Sequence, residues 1–378
     1  MAIKYLYLDD EQATRLTPYI DAITGGTNKI EIVPEHPNSF DFQIQHLMQV
    51  LGKYDGLILD WRLDKIPNSE GQRATFRAAA LAQEIRTRAT EGEYRDLPIV
   101  LWSTYENLSG SYYADDTSHD LFDCKHHKDG VVDRPDIVRN ELLSLAKGYQ
   151  RIRESQGAFD NMLALEDEVY NLLDPRFTQH FRPNEQIPAH EYARFILKEA
   201  ILRPGLLISE ALLAARLGVD KEKSSDWAAL LQKLPSNAEY KGAFHEAWPS
   251  WWSYLVEKKW WRSLAPKLRP LSTLPADKRV ELLKQFTGLE KLVAAKPIEE
   301  FYWTRFQTIC EYHQKPLDPI DGVIIREEEP QPWQQRRYIS LDVALERKGE
   351  AKNLRPHPIE LERLREIKES RSEDGEEI

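Results

Sequence analysis

Three short apolar runs in the first hundred residues each end at a polar side chain. The runs and the residues that follow them are Ile3–Leu8 with Asp9 and Asp10, residues 56–59 with Asp60, and residues 98–102 with Ser103. Short, nearly continuous apolar runs separated by helix-length segments are typical of buried strands in a parallel sheet with helices on both faces. The pattern therefore predicts an α/β fold with a doubly wound parallel sheet at the N-terminal end.

Beyond this region the apolar positions mostly recur at helical spacing. We predict helices from residue 135 to about 155 and near 159–173, followed by a flexible or irregular joint across the proline-punctuated residues 174–188. The predicted division of the chain is a sheet domain at residues 1–150, a connecting helix and proline-rich joint at 151–190, a mostly α-helical, tryptophan-rich domain at 191–350, and a charged helix or tail at 351–378.

Composition supports folded domains. The chain has 378 residues, 41% of them hydrophobic and 10% aromatic, which is enough to bury cores in two or three domains. No apolar stretch reaches the length of a membrane span, and the first residues contain no signal-peptide core, so we expect a cytoplasmic protein without a membrane partner. Cys124 and Cys310 support no disulfide framework and no multi-cysteine metal site, and we expect both to be reduced thiols in apolar surroundings.

The net charge of −11 is concentrated in the first 150 residues, which contain 16 basic and 24 acidic side chains. This distribution offers no overall attraction for nucleic acid, although a local basic face remains compatible with it.

The polar residues that end the predicted strands suggest phosphoryl chemistry. In a parallel sheet, the carboxyl ends of the strands meet at one edge, so Asp9, Asp10, Asp60 and Ser103 should converge there. Neighbouring carboxylates repel each other, and a hard cation such as Mg²⁺ would relieve that repulsion. Asp60 is the best candidate nucleophile, with Asp9 and Asp10 as metal ligands, while Ser103 and Lys125 would bind phosphoryl oxygens.

Each of these residues also has an ordinary structural explanation. An acidic pair after a strand often caps the next helix, Asp60 could be a turn residue, and Ser103 could be a helix N-cap. The order of the groups on three strand ends favours the shared site.

Residues 1 to about 150 resemble the receiver domain of two-component response regulators. The matching segments are residues 8–11, 59–62, 98–104 and 122–125. The resemblance implies a five-stranded doubly wound sheet, phosphorylation of Asp60 by a sensor histidine kinase, and a switch through Ser103 and Phe122. It also implies Mg²⁺ held by Asp9, Asp10, Asp60 and the backbone carbonyl of Arg62. The separation of Ser103 and Lys125 equals that of typical receivers, which favours Lys125 over Lys128 as the phosphate-binding lysine.

This sequence departs from the receiver pattern in two places. The loop after Asp60 is longer than usual, with its proline and glycine delayed to Pro67 and Gly71, and His126 replaces the proline that normally follows the lysine. These departures bear on partner choice and on the lifetime of the phosphoryl group, and they remove no chemical group.

Two segments of the C-terminal half allow a nucleic-acid interpretation. Residues 206–231 resemble a helix-turn-helix, but the second helix has no Arg, Lys, Asn or Gln in its first turns, so a helical hairpin packing on itself is favoured. In the tryptophan cluster at residues 248–261, Trp251, Trp252 and Leu255 are spaced as one helix stripe, which favours core packing over stacking on single-stranded nucleic acid.

The overall layout, a receiver with long loops and a tryptophan-rich helical region, resembles the intermediary regulator of Detocs-type bacterial phage-defence systems. That resemblance implies a phosphate-buffering protein that competes with a second regulator or effector protein. The sequence therefore predicts a phosphoacceptor signalling protein and not an enzyme in its own right, and a homodimer on the face around Phe122 is compatible with this interpretation. Two alternatives stay open: a DNA-binding transcriptional regulator that uses residues 206–231, and a scaffold that is not phosphorylated.

Overall fold

The computed structural model of the chain describes residues 2–68, 71–108, 120–182, 186–264 and 269–373. It contains two compact units. The first comprises Met1–Lys198 together with Lys241–Trp248, and the second comprises Glu199–Tyr240 together with Pro249–Ile378. The first unit thus extends past the predicted boundary at residue 150 and includes a short segment from much later in the chain.

A five-stranded parallel sheet forms the centre of the first unit. Its strands are β1 (Ile3–Leu8), β2 (Ile30–Glu35), β3 (Gly56–Asp60), β4 (Ile99–Ser103) and β5 (Cys124–His127), arranged in the order β2-β1-β3-β4-β5. Every residue of β3 and β4 is buried, which explains why both strands are almost continuously apolar. The predicted doubly wound parallel sheet is confirmed.

Helices cover the sheet and continue beyond it. Those of the first unit are α1 (Ala13–Thr24), α2 (Phe40–Val50), a 3₁₀ turn (Leu51–Lys53), α3 (Ala78–Thr90), α4 (Tyr105–Asn107), α5 (Lys128–Asp133), α6 (Pro135–Glu154), α7 (Phe159–Leu163), α8 (Asp167–Tyr170), α9 (Pro175–Thr178) and α10 (Ala189–Phe195). A π-helical segment (Ile196–Ile201) follows α10 and contains the unit boundary between Lys198 and Glu199. Helix α6 matches the predicted helix closely. The helix predicted at 159–173 is instead two short helices, because Ala164 ends the first one in the left-handed conformation.

The proline-rich segment is packed where the structure describes it. Phe177 of α9 is fully buried, and its ring lies 5.5 Å from that of Phe159 and 5.3 Å from that of Phe195. Aromatic rings at these separations form a stable cluster. The segment is therefore irregular, as predicted, but Phe177 anchors it in the core of the first unit.

A buried arginine ties the amino-terminal ends of the strands to two helices. Arg86 of α3 donates to Asp96 Oδ1 at 2.9 Å and to Asp123 Oδ2 at 2.8 Å. Tyr149 of α6 donates its hydroxyl to the other oxygen of Asp123 at 2.7 Å. Because breaking one partner of such a network leaves an uncompensated buried charge, this contact fixes α3 and α6 on the sheet.

The second unit combines helices with two small sheets. Its helices are α11 (Glu210–Leu217), α12 (Trp227–Leu231), a π-helical segment (Leu255–Trp260) that leads into α13 (Trp261–Leu264), α14 (Ala276–Thr287), α15 (Leu341–Leu345) and α16 (Leu361–Glu373), with 3₁₀ turns at Leu271–Thr273, Pro319–Asp321, Lys348–Lys352 and Pro358–Glu360. Strands β6 (Leu207–Ser209) and β7 (Ser250–Trp252) pair with each other, and β8 (Thr308–Cys310), β9 (Lys315–Leu317), β10 (Gly322–Ile324) and β11 (Tyr338–Ser340) form a four-stranded sheet in the order β10-β11-β8-β9. The C-terminal part is substantially helical, as predicted, whereas the two sheets were not predicted.

The tryptophan cluster is part of the core, but not as one helix stripe. Trp251 and Trp252 are successive residues of β7 and are both buried, and Leu255 is buried in the following π-helical segment. The core interpretation of these residues is confirmed and their assignment to one helix is wrong, because strand pairing with β6 overrides the apparent helical spacing.

The helix-turn-helix-like segment has a short second helix. Helix α11 ends at Gly218 in the left-handed conformation, and α12 contains only five residues, of which Trp227 and Leu230 are buried. Five helical residues span about 7.5 Å. A helix this short, with its apolar positions buried, does not provide the extended recognition surface that reading a major groove requires.

None of the helices formed by the described residues has the length and apolar character that crossing a membrane would require.

We expect Gly148→Ala to destabilise the first unit. A Cβ atom at this position of α6 would lie 2.2 Å from two ring carbons of Phe244, which belongs to the returning segment Lys241–Trp248. Overpacking of this kind costs about 1–3 kcal/mol in the free energy of unfolding, measurable by urea titration. The matched control is Gly130→Ala in α5, where the nearest atom is 4.0 Å away. Equal stability of the two variants would show that Phe244 does not pack on α6.

Candidate functional site

Three carboxylates meet at the carboxyl end of the five-stranded sheet. Asp9 and Asp10 follow β1, Asp60 ends β3, and carboxylate oxygens of the three lie within 4.8 Å of one another. All three side chains are almost completely buried, with exposed fractions of 0%, 3% and 3%. We refer to these residues as the acidic cluster. The structure thus brings together the residues that the strand pattern predicted to converge.

Hydrogen bonds fix the two carboxylates that follow β1. Asp9 Oδ1 accepts the backbone N–H of Glu11 at 2.9 Å, and Asp9 Oδ2 accepts the hydroxyl of Tyr7 at 2.6 Å. Asp10 Oδ2 accepts the backbone N–H groups of Lys65 and Ile66, each at 2.6 Å. The longer loop after Asp60 is therefore anchored directly on the acidic cluster.

Tyr7 is a site residue that the sequence analysis missed. It lies two positions before Asp9 in the run that forms β1, so both side chains leave the same face of the strand. A buried phenol needs a hydrogen-bond partner, and this requirement was the available signal.

Ser103 lies next to Asp60 at the end of the adjacent strand. Its hydroxyl donates to Asp60 Oδ1 at 2.9 Å and accepts from the side-chain amide of Asn107 at 3.3 Å. Ser103 is fully buried, and the register of β3 and β4 places the ends of the two strands side by side. The structure places Ser103 beside Asp60, at the strand end where the apolar pattern put it, and its role in binding phosphate stays a prediction.

The lysine at the site is Lys128, and the placement of Lys125 there is wrong. Lys128 Nζ lies 2.8 Å from Asp9 Oδ2 and 3.4 Å from Asp60 Oδ1, and only 3% of Lys128 is exposed. Lys125 pairs with Leu101 in the parallel register, two residues before the end of β4, and its side chain is exposed. Because β5 continues to His127, which lies opposite Ser103, Lys128 is the first residue beyond the strand.

Arg62 lies two residues after Asp60, and Phe122 packs against Trp61, the residue that follows Asp60. Phe122 is 6% exposed in the core of the first unit, and its ring is 6.5 Å from that of Trp61 in an edge-on arrangement. Arg62 donates its backbone N–H to Asp60 Oδ2 at 2.8 Å. The switch function of Phe122 and the ligand function of the Arg62 carbonyl stay predictions.

Burial and mutual repulsion dominate the electrostatics of the site. Burial raises the pKa of Asp60 to about 7, the nearby Asp9 carboxylate adds to this rise, and Lys128, the Arg62 N–H and the Ser103 hydroxyl oppose it. Burial also raises the pKa of Asp10, against the hydrogen bonds from Ile66 and Lys65.

The surroundings favour the charged form of Lys128, whereas they favour the neutral form of Asp60. Its burial favours the neutral amine, but the carboxylates of Asp60 and Asp9 outweigh this effect and hold the pKa of Lys128 above its ordinary value. The attraction between the Lys128 ammonium and the carboxylates therefore raises the pKa of Lys128 and opposes the rise in the pKa of Asp60. At Asp60, burial and the charge of Asp9 outweigh this attraction.

The donor set of the acidic cluster fits a hard divalent cation. It offers carboxylate oxygens alone, and Mg²⁺ prefers oxygen ligands supplied by a few carboxylates and water. The raised pKa values of Asp60 and Asp10 show that the existing compensation by Lys128 is incomplete, so additional positive charge would be favourable.

Comparison with known proteins gives matches only among solved structures. No family model and no curated protein matches the chain. The matching structures include a response regulator receiver domain protein from Clostridium thermocellum, with 14% identity over 36% of this chain and 98% of that chain at a TM-score of 0.23. They also include the RcsB response regulator of Salmonella typhimurium, described for its conformational dynamism in DNA interaction, with 14% identity over 50% of this chain and 97% of that chain at a TM-score of 0.24.

Both similarities are weak, and the fold assignment rests on the sheet itself. The order β2-β1-β3-β4-β5, with every neighbouring pair parallel and helices on the faces, is that of the receiver fold. The first unit has this fold.

We expect the metal-free Asp60→Asn variant to gain stability relative to wild type when the pH is raised from 5 to 8. With a folded pKa of about 7 against an unfolded value near ~3.9, Asp60 contributes stability at low pH that is lost as pH rises through 7. The variant has no such titration. The difference in free energy of unfolding between variant and wild type, measured in a chelator, should therefore grow by about 2 kcal/mol between the two pH values.

Asp21→Asn is the control for this measurement, because it neutralises an exposed carboxyl on α1 of the same unit. Its difference from wild type should not change over this pH range. A pH-independent difference for Asp60→Asn would contradict the electrostatic description of the acidic cluster.

Proposed function

We propose that this chain is a response-regulator-like phosphoacceptor. Asp60 accepts a phosphoryl group from a sensor histidine kinase, and the chain relays or buffers that signal through protein contacts. The observation that supports the proposal is the convergence of Ser103 and Lys128 on one oxygen of Asp60, within a buried cluster of carboxylates. A carboxylate nucleophile, a hydroxyl donor, an ammonium donor and further carboxylates are the groups that phosphoryl transfer to an aspartate needs.

The transfer itself requires no additional protein group. A carboxylate oxygen of Asp60 forms a bond to phosphorus while the bond from phosphorus to the donor atom breaks, and the product is an acyl phosphate on Asp60. Mg²⁺ held by Asp9, Asp10 and Asp60 would neutralise negative charge on the incoming phosphate. The Ser103 hydroxyl and the Lys128 ammonium, which now contact Asp60, would donate to phosphoryl oxygens and stabilise the charge that they carry.

Lys128 connects this chemistry to the surrounding structure. It is the first residue of α5 and at present bridges Asp9 and Asp60. A phosphoryl group on Asp60 would add negative charge and acceptor oxygens at this position, and would compete with Asp9 for the ammonium. The β5–α5 junction and the Ser103 end of β4 are therefore the parts of the first unit that would report phosphorylation.

The output of the protein is proposed to be a protein contact. A second regulator or effector would be the receiving partner, and self-catalysed phosphoryl transfer and dephosphorylation would be the chain's own chemistry. A role in bacterial anti-phage defence, with the chain acting as a phosphate buffer, rests on the resemblance in layout alone.

Replacement of Asp60 by Asn should abolish phosphorylation. Intact-mass measurement after incubation with Mg²⁺ and acetyl phosphate is expected to show one added phosphoryl group on wild type and on the control Asp21→Asn, and none on Asp60→Asn. A chelator should prevent the addition to wild type, because the metal is needed at the acidic cluster. Equal phosphorylation of Asp60→Asn would contradict the assignment, and failure of wild type with every small donor would favour the scaffold alternative.

Lys128→Ala should impair phosphorylation far more than Lys125→Ala. Removing a preorganised donor to the transferring group reduces the rate by about tenfold or more, whereas the exposed side chain of Lys125 lies away from Asp60. The initial rate of acyl phosphate formation measures the difference, and far-UV circular dichroism checks that both variants are folded. A greater loss in Lys125→Ala would mean that the β5 register is misassigned.

A further inference from the structure

Three chemically different side chains converge between β5 and α6, away from the acidic cluster. Cys124 Sγ lies 3.5 Å from His126 Nε2, and the same nitrogen lies 3.1 Å from Glu141 Oε2. One ligand atom from each residue lies within 4.8 Å of the other two. The prediction of apolar surroundings is therefore wrong for Cys124, because a histidine and a carboxylate contact or adjoin its thiol.

The geometry does not match a nucleophilic triad. In a Cys–His–carboxylate triad, the thiol and the carboxylate use opposite nitrogens of the imidazole. Here both contacts are made to Nε2, which carries either one proton or one lone pair and so satisfies only one of them fully. A cation placed among the three atoms would satisfy all of them together.

Two of the three separations are close to those of ligands around a tetrahedral zinc ion. Bond lengths of about 2.3 Å to sulfur and about 2.0–2.1 Å to nitrogen and oxygen, at tetrahedral angles, place sulfur about 3.5 Å from nitrogen and nitrogen about 3.3 Å from oxygen. The structure has 3.5 Å and 3.1 Å for these two distances. The sulfur and the carboxylate oxygen lie within 4.8 Å of each other, and they would approach further on coordination.

The elements that carry the ligands are fixed independently of any ion. Cys124 and His126 are two residues apart in β5, so both side chains leave one face of the strand. Next to Glu141 on α6, the carbonyl of Leu142 accepts the Tyr5 hydroxyl from β1 at 2.7 Å. Rigid elements of this kind hold ligands in place before an ion arrives.

We propose that Cys124, His126 and Glu141 form a binding site for a borderline-soft divalent ion of the zinc type, with water as the fourth ligand. The set of one sulfur, one nitrogen and one oxygen donor differs from the all-oxygen acidic cluster, and thiolate and imidazole ligands favour zinc over magnesium. The first unit would then bind two ions of different chemical class at two separate places. The zinc site does not depend on phosphorylation of Asp60.

The surroundings of the ligands leave a path for an ion. The side chains of His126 and Glu141 are 14% and 19% exposed, which leaves access from solvent.

Zinc titration of the metal-stripped full-length protein in competition with a chromophoric chelator tests the proposal. Wild type should bind one equivalent, and Cys124→Ser and Glu141→Gln should each weaken binding by about tenfold or more. The matched control is Cys310→Ser, which changes the other cysteine of the chain, a buried residue of the second unit whose sulfur contacts Ser340. This control should bind zinc as wild type does.

Cobalt substitution identifies the ligand directly. Co²⁺ should give a thiolate-to-metal charge-transfer band with wild type and with Cys310→Ser, and none with Cys124→Ser. Circular dichroism and Mg²⁺-dependent phosphorylation of Cys124→Ser should stay at wild-type levels, which separates this result from failure of the Asp60 proposal. Absence of stoichiometric zinc binding in wild type, equal affinity in Cys124→Ser, or a cobalt spectrum without the band would each overturn the zinc site.

Discussion

The contact of Lys128 with Asp9 and Asp60 is the interaction on which the candidate site depends. Carboxylates this deeply buried repel each other and lose hydration, and both effects favour their protonated forms. The ammonium lies 2.8 Å from one carboxylate and 3.4 Å from the other, and it allows them to remain close together without being fully neutralised. Its position at the first residue of α5 links the end of β5 to the ends of β1 and β3.

The two ends of the five-stranded sheet contrast in their charge balance. At the amino-terminal end, Arg86 pairs with Asp96 and Asp123, and His190 also contacts Asp96 at 2.7 Å. Burial alone would raise the pKa of Asp96, but His190 and Arg86 outweigh it, and the net pKa is lowered. At the carboxyl end the compensation is incomplete and the pKa of Asp60 is raised. In the balanced network, losing one partner would leave an uncompensated buried charge, whereas the unbalanced cluster would gain from a bound cation.

The sequence predicted the acidic cluster better than it predicted the lysine. Apolar runs that end in acidic or hydroxyl residues identify strand ends, and parallel pairing brings those ends together whatever the loop lengths. The lysine depends on how far β5 extends, which the separation from Ser103 does not determine. The small sheets of the second unit escaped prediction because their strands have three residues each, too few to show a period of two, and Trp251 and Trp252 then resembled a helix stripe.

Strand β5 connects the two proposed sites. Cys124 and His126 leave one face of the strand, and the strand continues directly into Lys128, whose ammonium reaches Asp60. An ion held between β5 and Glu141 of α6 would lie on the same strand, without touching the acidic cluster. Asp60 is contacted from two neighbouring strands: by Ser103 at the end of β4, and by Lys128 directly after β5. Because Lys128 begins α5, a proposed phosphoryl group on Asp60 that drew its ammonium away from Asp9 would act at the junction that follows β5, where the acidic cluster meets the rest of the first unit.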